Sequence, residues 1–251
     1  MSVRVETLRA ASEGGVFSVW LNRPEARNAV SLQMCEDLIE VFGSLRSDDA
    51  ARVVVVRGSG PAFCAGVDIR EFAGRDAAWV LHRRSLGMEA YLAIEQCPLP
   101  VICAVHGAVI GAGCELAAAC DFVVADETAF FQWPEALRGV VGATQRLPRA
   151  IHRPMAKELL FTSRKITARD ARAIGFVNHV AGPGGLEGAV QSRVREILSC
   201  RPMALRFMKQ AINAGEALDR TAAVEVERKL IEQSLRHEEW REGTADFAPR
   251  G

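Results

Sequence analysis

The run Arg52–Arg57 (RVVVVR) limits the fold more than any other segment of this chain. Four β-branched residues in succession leave no polar side for water, so the segment reads as a strand covered on both faces. Gly58-Ser59-Gly60-Pro61 ends it. Short apolar runs recur at Val16–Leu21, Val101–Val105, Phe122–Ala125 and Phe176–Val180. Helical stretches separate them. Ser31 caps one that runs to about Arg46, with Cys35, Leu38, Phe42 and Leu45 on one face. A second fills Asp76–Gln96, and a third starts near Ala112 or Gly113 and ends at Cys120. Thr167-Ala168-Arg169-Asp170 matches the acidic form of a capping box, and Gly175 suits the stop of the helix it opens. From about Leu186 only helices are expected. Pro202 opens one that Gly215 closes, and another covers Ala217–Arg236. The pattern is an α/β body followed by a helical tail.

The 251 residues suffice for one domain with an appendage. A formal net charge of zero favours neither nucleic acid nor an anionic membrane surface as a partner, though local basic groups can still hold a phosphorylated ligand. No apolar run is long enough to span a bilayer. The N-terminal stretch MSVRVETLRAASEGG lacks an apolar signal core and reads as a cytoplasmic start. The seven cysteines are Cys35, Cys64, Cys97, Cys103, Cys114, Cys120 and Cys200. Their odd number, the lack of a Cys-x-x-Cys pair and their apolar surroundings point to buried reduced thiols rather than disulfides or a metal site.

Two glutamates carry the chemistry. Glu115 follows the small-residue turn Gly111-Ala112-Gly113-Cys114, and Glu135 follows Trp133-Pro134. Both stand among apolar residues, where a carboxylate is costly unless paired or used. Two turns of small residues matter with them: Phe63–Arg70 (FCAGVDIR) and Gly111–Glu115 (GAGCE). Such strand-to-helix junctions leave backbone N–H groups free, and a helix start adds partial positive charge. Two N–H groups from different turns can hold a carbonyl oxygen that gains negative charge. Taken alone, each turn is a weak signal, since such a turn is more often just a tight strand-to-helix connection. Glu115 alone could be a surface helix residue, and Glu135 an ordinary turn carboxylate.

The segments FCAGVDIREF (63–72), VHGAVIGAGCELAAACDFVVADETAFFQWPE (105–135) and TQRLPR (144–149) together resemble the enoyl-CoA hydratase/isomerase, or crotonase, family. The resemblance implies an α/β fold of repeated ββα units wound into a spiral. It implies a spiral core with the acyl-CoA site over residues 1–190, and a helical oligomerisation region over 191–251. It also implies an acyl-CoA thioester substrate and assembly as a homotrimer or a dimer of trimers. Residue by residue, it makes Glu115 and Glu135 the catalytic acids and gives the oxyanion donors as the N–H groups of Val67 and Ala112. Arg70 matches a position near the CoA nucleotide, and Arg23 and Ala26 lie on the CoA path. Ala65, Asp68, Ile69, Gly111 and Trp133 complete the implied substrate contacts. On the residues themselves, Asp68 reads as a brace of its turn, and Trp133 reads equally as core or acyl pocket.

The implied reaction adds water to a 2-enoyl-CoA. Ionised Glu115 activates the water and protonated Glu135 supplies a proton to the alpha carbon. No metal or redox cofactor is implied, since coenzyme A is part of the substrate. Two other readings remain: a double-bond isomerase, and an acyl-CoA-binding protein without turnover. The chain departs from the family pattern after Glu135, where Gly139-Val140-Val141-Gly142-Ala143 reaches Thr144 early. It also departs at Phe247–Gly251, where the family continues with a basic segment.

Overall fold

The computed structural model describes residues 5–245. Strands β1 (Leu8–Glu13), β2 (Val16–Leu21), β3 (Val53–Gly58), β4 (Val101–Val105), β6 (Phe122–Asp126) and β9 (His179–Ala181) lie in that order in one sheet. β1 pairs antiparallel with β2, and the remaining neighbours in this sheet are parallel. β5 (Ala108–Ile110), β7 (Phe130–Gln132) and β8 (Ile166–Thr167) form a second, smaller sheet. The helices are α1 (Leu32–Ser44), α2 (Ala77–Glu95), α3 (Ala112–Ala119), α4 (Leu147–Ala150), α5 (Arg153–Thr162), α6 (Ala168–Ala173), α7 (Leu186–Ser199), α8 (Pro202–Gly215), α9 (Arg220–Ser234) and α10 (Glu239–Thr244).

β3 is buried on both faces, as its sequence requires. Val54 and Val56 join Val101, Cys103, Leu38 and Phe42 in the larger core. Val53 and Val55 face the other way, with Ile102, Ala104 and Val124, and α7 covers them through Val190 and Val194. α7 thus runs unbroken across position 190 and packs on the sheet. The caps follow the sequence. Ser31 Oγ accepts from Met34 N–H at 3.2 Å, and Thr167 and Asp170 form the reciprocal capping box. α9 begins later than expected, because Asp219 caps it by accepting from Ala222 N–H at 3.0 Å.

Several strands escape the sequence pattern. β1 is an exposed edge strand in the stretch read only as an N-terminal start. β5, β7 and β8 are too short to show a period. The strand expected over Phe176–Val180 is shifted to His179–Ala181. Phe176 and Val177 instead enter the core, and Asn178 Oδ1 accepts from Val123 N–H at 2.9 Å. Six cysteines are buried free thiols, and Cys200 is exposed. Among the described residues, no helix is long and apolar enough to cross a membrane. The departure at Phe247–Gly251 lies outside the described residues.

This scaffold presses the two chemical turns together. Cys64 N–H donates to Ala108 O at 3.0 Å, and Ile110 N–H donates to Cys64 O at 3.0 Å. α3 then starts so close behind that a Cβ on Gly113 would lie 2.5 Å from Cys64 O. Only glycine permits that approach.

Candidate active site

Among the described residues both turns leave backbone donors without an acceptor, Val67 N–H in the first and Ala112 N–H in the second among them. Gly66 O accepts from Val30 N–H and Asp68 N–H donates to Val30 O, at 2.8 and 2.9 Å. This bridge turns the N–H of the residue between them, Val67, to the opposite side. Among the described residues it meets no acceptor. Gly111 anchors the second turn through its N–H to Gln132 O at 2.9 Å, and its φ of 49° swings the chain into α3. The first bond of that helix runs from Glu115 N–H to Gly111 O, so the N–H groups of Ala112, Gly113 and Cys114 are left over at the positive end. Ala112 N–H too meets no acceptor among the described residues.

Both carboxyl groups border the start of α3. Glu115 stands in its first turn with 13% of its side chain exposed. Its Oε2 accepts from Arg146 Nη1 at 3.3 Å, while Oε1 is buried and meets no hydrogen-bond partner among the described residues. Glu135 opens a 3₁₀ turn, Ala136–Arg138. Its Oε1 lies 3.1 Å from where a Cβ on Gly111 would stand, and its Oε2 is buried without a partner among the described residues. Burial raises the Glu115 carboxyl above the ordinary glutamate range; Arg146 opposes this, and the negative charges of Glu135 and Glu95 add to it. Burial likewise raises Glu135, opposed by a backbone N–H and by Arg84. Two carboxyls with raised proton affinity, each keeping one buried oxygen without a partner among the described residues, are suited to give and take protons.

The shortened loop after Glu135 closes directly on it. Val140 N–H returns to Glu135 O at 3.0 Å, and a Cβ on Gly142 would lie 2.9 Å from Glu135 Cγ. Arg84 from α2 donates to Val141 O and holds this loop from outside.

The other expected residues separate into a rim and a frame. Arg70 and Ile69 are exposed, and Ala26, Ala65 and Arg23 are half-buried beside them. Ala65 N–H donates to Arg27 O at 3.0 Å, tying this rim to the turn that holds Ala26. Asp68 is 4% exposed. Its carboxylate accepts from Arg70 Nη2 at 2.7 Å and Arg23 Nη2 at 3.0 Å, and it caps the 3₁₀ turn Ile69–Phe72. The hydrogen bond from Arg70, joined by Arg23, holds it well below the usual carboxylate range. Its oxygens are thus engaged in bracing the turn. Trp133 is 1% exposed, and its ring meets Phe176 edge-on at 5.2 Å. Of the two readings kept for it, this packing fits the core. Sequence reasoning missed Arg146, Glu95 and Arg84. Arg146 stood in view inside TQRLPR, but nothing local tied it to Glu115, 31 residues away.

A mostly parallel sheet, two small-residue turns pressed together and a carboxyl pair bordering one helix start fit a crotonase-type fold. The sequence profile of the enoyl-CoA hydratase/isomerase family matches residues 11–251, and this chain belongs to that family. It is similar to the short-chain-enoyl-CoA hydratase of Clostridium acetobutylicum, at 34% identity over 94% of this chain and 92% of that protein. The crystal structure of enoyl-CoA hydratase from Bacillus anthracis superposes with a TM-score of 0.92 at 33% identity, covering 96% of each chain. A Thermobifida fusca protein solved in complex with CoA gives 0.84 at 28% identity, covering 92% of this chain and 93% of that one.

Proposed function

We propose that this protein hydrates the conjugated double bond of 2-enoyl-CoA thioesters. The observation that carries the reading is the pair Glu115 and Glu135, each with a buried oxygen free, at the helix start that also offers Ala112 N–H. Water attack at the beta carbon builds negative charge on the thioester oxygen. The N–H groups of Val67 and Ala112 receive that oxygen, and each such donor contributes about 3 kcal/mol. Glu115, ionised against Arg146, orients and deprotonates the water. Glu135, with no direct ion pair among the described residues, holds the proton that goes to the alpha carbon. Desolvation raises both groups, and the negative charges of Glu135 and Glu95 raise Glu115 further.

In this reading the exposed guanidinium of Arg70, with Arg23 and Ala26, lies along the CoA path; a similar protein solved in complex with CoA supports acyl-CoA binding. Ala65, Ile69 and Gly111 line it, and Asp68 and Trp133 act from behind. The reaction calls for no cofactor, because the chain supplies base, acid and oxyanion donors. Assembly as a homotrimer or a dimer of trimers belongs to the same reading, since Met208 and Ile212 on α8 and Val224 and Ile231 on α9 expose apolar surface. The region after residue 190 would make those contacts. The buried free thiols suit a reducing compartment, and we place the protein in the cytoplasm.

Double-bond isomerisation is the second reading, favoured by the tight closure of Gly142 on Glu135, which narrows the space for water. The test is incubation with crotonyl-CoA, longer 2-enoyl-CoAs and a 3-enoyl-CoA, following the conjugated thioester absorbance. Hydration removes that absorbance, and Glu115→Gln and Glu135→Gln suppress the loss. A rise from 3-enoyl-CoA with no loss from any 2-enoyl-CoA makes the protein an isomerase. Binding without either change refutes turnover.

A further inference from the structure

Arg146 precedes α4 and is gripped from two sides. Its Nε meets Glu95 Oε1 at 2.6 Å and its Nη2 meets Glu95 Oε2 at 3.1 Å. A bidentate pair of this kind fixes the plane of the guanidinium. The same group lies over the Tyr91 ring, 5.2 Å from its centroid, and its side chain is 14% exposed. Glu95 and Tyr91 both belong to α2, so that helix sets where the guanidinium can be. That leaves Nη1 for Glu115, and it takes Oε2 at 3.3 Å while Oε1 keeps no partner among the described residues. The geometry points to Arg146, clamped by Glu95, as the positioning residue that holds one oxygen of Glu115 and leaves the other free for the reacting water. The inference rests on the hydration reading.

The clamp carries opposite charges with opposite consequences. The cation of Arg146 favours ionised Glu115, and the anion of Glu95 disfavours it. Glu135 after β7 and Cys114 and Tyr91 beside the site complete the titratable groups around Glu115. Arg84 acts on Glu135 from the far side. Removing Arg146 therefore moves the acid limb of the rate profile to higher pH, and removing Glu95 moves it lower. A pair that only stabilised the fold would shift neither limb.

The experiment measures kcat and KM for crotonyl-CoA against pH in wild type, Arg146→Gln, Arg146→Lys and Glu95→Gln. Arg146→Gln is expected to lose about 10- to 100-fold in kcat with little change in KM. Its acid limb should rise by about one pH unit. Arg146→Lys keeps the charge but not the fork, so its limb stays near wild type while kcat falls. Glu95→Gln should move the limb down. Unmoved limbs in both Gln variants, or a rise in KM with kcat intact, overturn the inference. If Arg146→Gln does not fold, Glu95→Gln alone decides by the presence or absence of its downward shift. If wild type hydrates no enoyl-CoA, the hydration reading fails separately. The clamp is then judged by carbon NMR of the Glu115 carboxyl, assigned through Glu115→Gln. An upward move of its titration in Arg146→Gln supports the clamp, and an unchanged titration refutes it.

Discussion

Replacing Gly113 with alanine drives a methyl group into the contact that holds the two turns together. The new Cβ would lie 2.5 Å from Cys64 O, 2.9 Å from Cys64 Cβ and 3.2 Å from Cys64 C. Cys64 cannot step aside cheaply. Its carbonyl accepts from Ile110 N–H and its N–H donates to Ala108 O, both at 3.0 Å, and it is fully buried. Relief must come from moving α3 or breaking one of those bonds. Overpacking costs about 1–3 kcal/mol, and an orphaned buried backbone group costs about 1–3 more. The better helix propensity of alanine offsets about 1 kcal/mol. The net loss should reach about 2 kcal/mol, read as a lower urea midpoint. A shift of α3 by about 1 Å also separates Ala112 N–H from Val67 N–H and lowers kcat about 100-fold. Gly43→Ala is the matched control. It sits in α1 with nothing within 4 Å of its new Cβ, and it should gain about 0.5–1 kcal/mol. A Gly113→Ala protein with the urea midpoint and kcat of wild type would refute the contact.

Three further outcomes follow from the same packing. Glu135 has a raised proton affinity, so the folded state binds more protons than the unfolded one between the ordinary glutamate pKa and the raised value, and stability falls as pH rises through that window. Glu135→Gln should therefore be more stable than wild type near pH 7 in urea unfolding, with the gain fading as pH drops below the glutamate range; a gain equal at both ends would contradict this. Lys209 on α8 reaches Asp121 Oδ2 at 2.8 Å and Leu99 O at 3.0 Å, so Lys209→Met should cost about 1–3 kcal/mol, and an unchanged midpoint would show that these bonds do not hold the helix. A thiol reagent should titrate Cys200 quickly in the native protein and the other six cysteines only after denaturation. Burial pushes Cys35 up to about 11 and Cys64 up to about 12, so fast modification of either would contradict the core.

Periodic and capped elements were legible because their signals are local. Val53–Val56 announced a two-sided strand, and Ser31, Asp170 and Pro202 marked the helix ends where the chain uses them. β5 and β7 were not, since three residues cannot display alternation and their pairing joins segments far apart in sequence. The glutamates were legible as carboxylates in apolar company, and the family motifs supplied their roles. What surrounds them was not. Arg146 meets Glu115 and Glu95 only through the packing of α2, α3 and α4, and no spacing along the chain encodes that triangle. The loop after Glu135 was visible as a shortening, but its closure of Gly142 onto the Glu135 side chain needed the fold.

The most direct test of the account is turnover of crotonyl-CoA in heavy-oxygen water, with the product analysed by mass spectrometry. Addition of water by Glu115 and Glu135 predicts one heavy oxygen at the beta carbon of the product in wild type, and incorporation slowed at least about 100-fold in Glu115→Gln. Conversion of a 3-enoyl-CoA to its conjugated isomer with no heavy oxygen in any product would contradict it.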